Sequence, residues 1–240
     1  MVESIRELKK KCMGTRPETK VKWQNHIAIY LTKLFLYTPL TANQICILWI
    51  AIEIAAIILL IKGTYFYYVL SMLLVQISAI IDTSDGQVAR YKNNKTVLGY
   101  YTDLLAHSFF VPLTFICLGI GISRISQDYL YLFLGIGTSI LFLIRDSINN
   151  PVVNNAKKPD KKLVAGKKVQ SKGSIIAKIR RLSGEWLELS LMLSVMFFGL
   201  IFNLPKQTLW VYFIVILLNL IYEISSTIHY LLKNHPKLII

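Results

Sequence analysis

Cysteine is scarce in this 240-residue chain, and Cys12, Cys46 and Cys117 show no paired spacing. That excludes a disulfide framework and a cysteine-based zinc site, and it predicts three free thiols. Internal repeats, low-complexity tracts and a separate soluble domain are also lacking, which excludes solenoids and tethered modules. Acidic side chains are few, 13 against 27 Lys and Arg, for a net charge of +14. No soluble recognition module accompanies this basic excess, so nucleic acid is not an expected partner. No cleavable signal peptide is expected, because the first apolar run comes late and lacks a small-residue cleavage site.

Apolar residues are what the chain has in quantity. They make up 54% of it, with a mean hydropathy of +0.51, too apolar for an ordinary soluble domain of this size. The expected fold is therefore an all-α integral membrane protein. Six runs are close to the ~20 residues a bilayer requires: Asn43 to Ile61, Tyr65 to Ile81 running on into a polar segment, Tyr100 to Ile122, Tyr129 to Ile148, Trp186 to Leu204, and Leu209 to Leu231. Before them, Trp23 to Tyr37 places Ile27, Tyr30, Leu31, Leu34 and Phe35 at helical spacing, as an amphipathic interfacial helix would. The organisation expected is a basic segment with that helix over residues 1–37 and a six-helix membrane domain over 38–240.

Lys and Arg crowd the first 33 residues, the turn carrying Arg90, Lys92 and Lys95, and the Lys157 to Arg181 loop with its ten basic residues. At the opposite helix ends stand only Lys62, Arg124 and Lys206. The positive-inside rule then places both termini, the Arg90 turn and the long loop in the cytoplasm, with the chain multi-pass in the plasma membrane. Attraction to anionic lipid headgroups is the plain function of most of these lysines. The Asn149 to Leu182 connection is too short for an independent fold, although Ser174 to Leu182 could form a helical turn.

One segment carries chemistry. From Asp82 the chain reads D-T-S-D-G-Q-V-A-R, then eight residues, then G-Y-Y-T-D-L-L-A-H ending at His107. On helices, Asp82, Asp85, Gly86 and Ala89 share one stripe, and Gly99, Asp103 and His107 another. Gly and Ala lack bulk and admit a ligand or a second helix. Across the turn from Tyr91 to Leu98 the stripes can face each other, bringing three carboxylates and an imidazole together. Like charges gathered at a membrane boundary call for a cation, so a divalent metal site is expected.

This spacing resembles the signature of the CDP-alcohol phosphotransferases, D-x-x-D-G-x-x-A-R-x8-G-x-x-x-D-x-x-x-D. Asp82, Asp85, Gly86, Ala89, Arg90, Gly99 and Asp103 match seven of its eight fixed positions, and His107 stands where the last Asp is expected. The Thr38 to Ile45 segment resembles the start of the family's first span, with Ala42 in place of a usual Pro. What the resemblance implies is a transferase that moves a phosphoalcohol or phosphatidyl group from a CDP-alcohol, such as CDP-diacylglycerol, to an acceptor hydroxyl with release of CMP. The setting would be phospholipid or lipid-linked glycan synthesis, with a lipid or polar alcohol as acceptor, membrane lipids around it, and a homodimer as the assembly.

It also implies two divalent ions, Mg²⁺ or Mn²⁺, held by Asp82, Asp85, Asp103 and His107; carboxylates suit such hard cations, and a metal pair stabilises both attacking and leaving oxygens. Asp85, Gly86, Ala89, Arg90 and Asn43 would contact the nucleotide. Arg90 is also readable as a topological anchor, and Asn43 as a plain helix-start residue. Asp103 and His107 would be catalytic, His107 as metal ligand and general base, roles an imidazole can fill. A softer nitrogen ligand would let Mn²⁺ compete better with Mg²⁺. His107 is alternatively a packed helix-end imidazole, or the mark of an inactive, CDP-alcohol-binding descendant. A third class, a transporter using Glu53 and Glu223 as a relay, lacks the paired broken helices it would need. Lys178, Arg180 and Arg181 are candidates for gripping an acceptor phosphate, with Glu185 and Glu188 beside them. Glu53 is expected to face the bundle interior, and Arg145 to pair with Asp146.

Overall fold

The computed structural model describes residues 3–13, 23–94, 96–149 and 189–234. Among them are eight helices and no strand: α1 (Ile5–Met13), α2 (Trp23–Leu36), α3 (Ala42–Leu60), α4 (Tyr65–Tyr91), α5 (Val97–Ser126), α6 (Leu130–Asn149), α7 (Leu189–Ile201) and α8 (Pro205–Asn234). Five of these, α3, α4, α5, α6 and α8, are long and apolar enough to cross a membrane. In α7 the apolar helix Met192–Ile201 is shorter; the span expected from Trp186 begins outside the described residues.

Local chemistry sets the helix boundaries around the motif. Pro39 cannot extend α2, and Thr41 then opens α3 with a reciprocal cap. Its Oγ1 accepts from the Gln44 N–H at 3.3 Å, and Gln44 Oε1 accepts from the Thr41 N–H at 2.9 Å. Thr96 starts α5 likewise, accepting from the Gly99 N–H at 3.0 Å. Between them α4 runs unbroken through the motif to Tyr91, ten residues beyond the apolar run that ends at Ile81, because Gln87, Val88 and Ser84 are buried there.

Helix α3 packs against both α4 and α5, while α6 joins α5 to α8 and α7 lies on α4. Trp49, Tyr68, Met72, Phe115, Leu118 and Met196 form the buried centre. At the end remote from the motif the backbones touch. A Cβ on Gly121 of α5 would lie 2.1 Å from the Leu60 carbonyl oxygen of α3, and one on Gly135 of α6 would lie 2.6 Å from that of Phe115. Only glycine permits this approach. Large apolar side chains such as Ile58, Phe66, Phe109, Phe133 and Leu218 face outward, as lipid-facing residues do.

The N-terminal helices dock on α4. In α2 the buried positions are Gln24, Ala28, Ile29 and Thr32, whereas Ile27, Tyr30 and Leu34 point away from the protein. Of the apolar stripe legible in the sequence, Ile27, Tyr30 and Leu34 thus form an outer face suited to a lipid interface, while Leu31 and Phe35 pack against the bundle, and the buried face mixes Ala28 and Ile29 with the polar Gln24 and Thr32. Thr32 Oγ1 donates to Gln87 Oε1 at 2.8 Å, and Ser84 Oγ donates to the Ala28 carbonyl at 3.2 Å. Helix α1 adds Leu8 and Cys12 to a small cluster with Ile29.

Arg145 does feel the neighbouring Asp146 charge, but each makes its hydrogen bond to another helix. Arg145 Nε donates to Asn219 Oδ1 of α8 at 2.9 Å, and Asp146 accepts from Ser108 of α5 at 3.4 Å. Consecutive helical residues lie ~100° apart, so each faces a different neighbour.

Candidate active site

The two stripes of the motif do face each other, α4 supplying Asp82 and α5 supplying Asp103 and His107. His107 Nε2 lies 3.2 Å from Asp103 Oδ1 and 3.7 Å from Asp82 Oδ2. One donor atom from each of the three falls within 4.8 Å of the others, and each residue is half-buried. Two carboxylate oxygens and an imidazole nitrogen so disposed match the chemistry of a divalent-cation site.

Asp85 stands apart from this trio. Its Oδ2 accepts a 2.9 Å hydrogen bond from the indole Nε1 of Trp49, and the same indole stacks on the His107 ring with centroids 5.5 Å apart and planes at 18°. A single buried Trp therefore orients both the second motif carboxylate and the imidazole. Trp49 escaped the sequence reading, although Asn43, Cys46, Trp49 and Glu53 do fall at helical spacing in an otherwise apolar run. Tryptophan in an apolar helix ordinarily reads as packing, and its N–H partner is invisible without the fold.

A cavity lies on each side of the cluster. The outer one, about 200 Å³, is lined by Asn43, Asp85, Gly86, Ala89, Arg90 and Asp103, with Thr96 and Gly99 at its edge. The expected nucleotide-contacting residues thus share one cavity. Asn43 Oδ1 would be 3.6 Å from a Cβ on Gly99, so a side chain there would crowd the amide. The space left by Gly86 is taken by Arg90, whose guanidinium nitrogen would lie 3.3 Å from a Cβ on Gly86. The inner cavity, about 40 Å³, reaches from Asp82 and His107 down to Glu53 and is walled by α5 and α7. Glu53 does face the interior, buried beside Ser78.

Arg90 has a further attachment that no motif foretells. Its Nε donates to the Cys12 carbonyl of α1 at 2.7 Å, and the Cys12 thiol donates to the Gln87 carbonyl at 3.5 Å. Burial pushes the Cys12 thiol up in pKa, which keeps it a protonated donor. All three cysteines are free, as expected, and all three are buried. Glu223 is half-buried on α8, while Lys178, Arg180, Arg181, Glu185 and Glu188 lie outside the described residues.

A model of the CDP-alcohol phosphatidyltransferase family matches residues 39–218, from the start of the first span to the last helix. The chain belongs to the CDP-alcohol phosphatidyltransferase family. No curated protein sequence matches it closely enough to add a relative. Membership makes this chain a membrane transferase of the CDP-alcohol type, in a family that uses divalent metals. The matched region holds the whole carboxylate–imidazole cluster and both cavities, and it leaves α1 and α2 outside.

Proposed function

We propose that this phosphatidyltransferase-family protein transfers a phosphoalcohol or phosphatidyl group from a CDP-alcohol to an acceptor hydroxyl, releasing CMP, in phospholipid or lipid-linked glycan synthesis. The observation that carries the proposal is the convergence of Asp82, Asp103 and His107 from two helices onto one point between two cavities. Asp82, Asp103 and His107, with Asp85 beside them, would hold two divalent ions, Mg²⁺ or Mn²⁺. When bound, such ions offset the negative charge on the attacking and leaving oxygens.

The chain's own residues do the rest. The nucleotide occupies the outer cavity, its diphosphate near Arg90 and its base toward Asn43 and Gly99. The acceptor oxygen attacks the β-phosphorus, the bond from that phosphorus to the oxygen of CMP breaks, and CMP departs with the bonding pair. An imidazole nitrogen of His107 not engaged with a metal ion would accept the hydroxyl proton, the ring being held in place by Trp49. Trp49 fixes Asp85 while Arg90, tied to α1, keeps its guanidinium above Gly86. Lys178, Arg180 and Arg181 remain candidates for the acceptor side. The charge pattern supports a plasma-membrane protein with both termini and the site facing the cytoplasm, where nucleotides reside. A homodimer is the assembly proposed, by family analogy.

The test is CMP release by the purified protein in lipid, with CDP-diacylglycerol and soluble CDP-alcohols against a panel of acceptors, in Mg²⁺ or Mn²⁺. Metal-dependent release, lost in Asp103→Asn and His107→Ala, is expected. Turnover that persists in chelator, or survives Asp103→Asn, would refute the reading.

A further inference from the structure

Helix α1 lies outside the region matched by the family, yet it is bonded to the motif helix at the edge of the outer cavity. Its own sequence goes only part of the way to specifying it. Ser4 and Glu7 form a reciprocal cap, the Ser4 N–H donating to Glu7 Oε2 at 2.9 Å and the Glu7 N–H to Ser4 Oγ at 3.4 Å. A helix of nine residues is still marginal in water, so packing has to supply the rest. Leu8 and Cys12, one turn apart, are both buried, in a cluster with Ile29 of α2 that Leu36 and Tyr91 complete. Lys11 also sets its ammonium over the Tyr91 ring, 5.4 Å from the centroid.

What this docking brings to α4 is a carbonyl. Cys12 stands in the last turn of α1, where backbone oxygens have no partner within the helix and carry the negative end of its dipole. There the Cys12 oxygen accepts from Arg90 Nε at 2.7 Å, and the Cys12 thiol donates to the carbonyl of Gln87, one turn before Arg90. The guanidinium is thereby turned toward the cavity. Its Nη1 and Nη2 lie 3.3 and 3.7 Å from where a Cβ on Gly86 would stand, and Gly86 and Arg90 both line that space. A guanidinium tethered at Nε presents its terminal nitrogens in the planar, two-point geometry that suits a diphosphate. Immobilising a long side chain on binding weakens affinity by about two- to tenfold, and a side chain already held escapes that cost.

We propose that α1 is a positioning element of the donor site: with Leu8 and Cys12 docked, the Cys12 carbonyl holds Arg90 in the conformation that receives the donor's diphosphate. The role of α1 rests on the placement of the nucleotide in the outer cavity in the proposed function. Such coupling is reciprocal, so bound nucleotide tightens the docking of α1 by the factor by which α1 tightens the nucleotide.

The experiment uses the full chain in phosphatidylcholine nanodiscs with CDP and Mg²⁺ as the probe, because CDP carries the nucleoside and diphosphate common to all CDP-alcohols. Leu8→Asp places a charge in the buried contact and releases α1; it should raise the Kd for CDP by about five- to tenfold. Leu8→Met should keep the wild-type Kd, and Leu8→Ala, which weakens the same contact without adding a charge, should give an intermediate one. In an Arg90→Ala background Leu8→Asp should have no further effect, since both changes act through one group. Saturating CDP should slow hydrogen exchange at the amides of Ile5 to Met13 in the wild type and not in Arg90→Ala. A helix that merely supported the fold would change the folded fraction and leave the Kd of the folded protein unmoved.

A wild-type Kd in Leu8→Asp with its α1 amides exchanging rapidly, or an equal loss from Leu8→Asp with and without Arg90, would overturn the proposal. CMP release from CDP-alcohols in the same preparations separates it from the transferase reading. Binding of CDP that depends on α1, without CMP from any donor and acceptor pair, refutes the transferase reading alone. CMP release with a donor KM that Leu8→Asp leaves unchanged refutes the role of α1 alone. Absence of CDP binding to the wild type refutes both.

Discussion

Where α3 turns into α4, the helices are pressed together until backbone meets backbone; where α4 turns into α5, side chains hold them apart around two cavities. Gly121 of α5 sits against Leu60 there, at a distance that leaves no room for a methyl group. At the other end of the same helices Trp49, Asp82, Asp85 and His107 occupy the interface and bond across it. The contrast follows from the surroundings. Within a bilayer helices gain little from burying apolar surface, so close packing of small residues holds them together. At the motif end polar groups must find partners, and those partners define the site.

The contrast breaks most sharply at the cluster. Asp103→Asn removes one of three converging donor groups, and CMP release should fall by at least about 10²-fold while the helical circular dichroism spectrum and thermal midpoint stay near wild type. Chelating divalent ions from the wild type should have the same effect, reversed on adding Mg²⁺. If Asp103→Asn instead unfolds the protein, the motif end is structural and the comparison fails.

Gly121→Leu attacks the clamp. Overpacking a tight interface costs about 1–3 kcal/mol, and a clash with backbone belongs at or above the top of that range. The expected outcome is a lowered melting midpoint in detergent, with lost activity tracking lost folded protein. Gly137→Ala, whose nearest contact is the flexible edge of Phe213 at 3.3 Å, should shift the midpoint far less.

Trp49→Phe keeps a ring beside His107 but deletes the indole donor to Asp85. Leaving a buried hydrogen-bonding group without its partner costs about 1–3 kcal/mol, so turnover or CDP-alcohol affinity should weaken by roughly 5- to 150-fold with stability little changed. Wild-type kinetics would remove Trp49 from the site.

The smallest effect is expected at the docking of α2. Thr32→Val deletes the hydroxyl that bonds to the fully buried Gln87. It should cost about 1 kcal/mol of stability, read as a lower denaturation midpoint, and leave CMP release by the folded protein nearly intact. A larger loss of turnover than of stability would show that α2 tunes the motif helix as well as supporting it.

The helices could be read from the chain because apolar length and capping residues are local properties. The structure starts α3 after the cap Thr41 and α5 after the cap Thr96, a little ahead of the Asn43 and Tyr100 starts expected from apolar length, and the glycines, carboxylates and His107 pointed to a site by spacing alone. The stripes of α4 and α5 were legible as faces, and their meeting was a fair expectation. The division within α4 was not. Asp82 and Asp85 are one turn apart, yet Asp82 joins His107 and Asp103 while Asp85 goes to Trp49. The inward face of α2 was also hidden, because Gln24 and Thr32 are polar and gain partners only when Ser84 and Gln87 approach.

By itself the sequence determined the membrane-spanning helices, the family, and the side chains available for chemistry. Tertiary structure alone decided that Asp82 and not Asp85 meets the imidazole, that Trp49 governs Asp85, that α1 holds Arg90, and that the two cavities differ in charge. The reason is distance along the chain. Helical periodicity relates residues three or four apart, whereas Trp49 and Asp85 are separated by 36 positions and Cys12 and Arg90 by 78, so only the packing of whole helices brings them within a hydrogen bond.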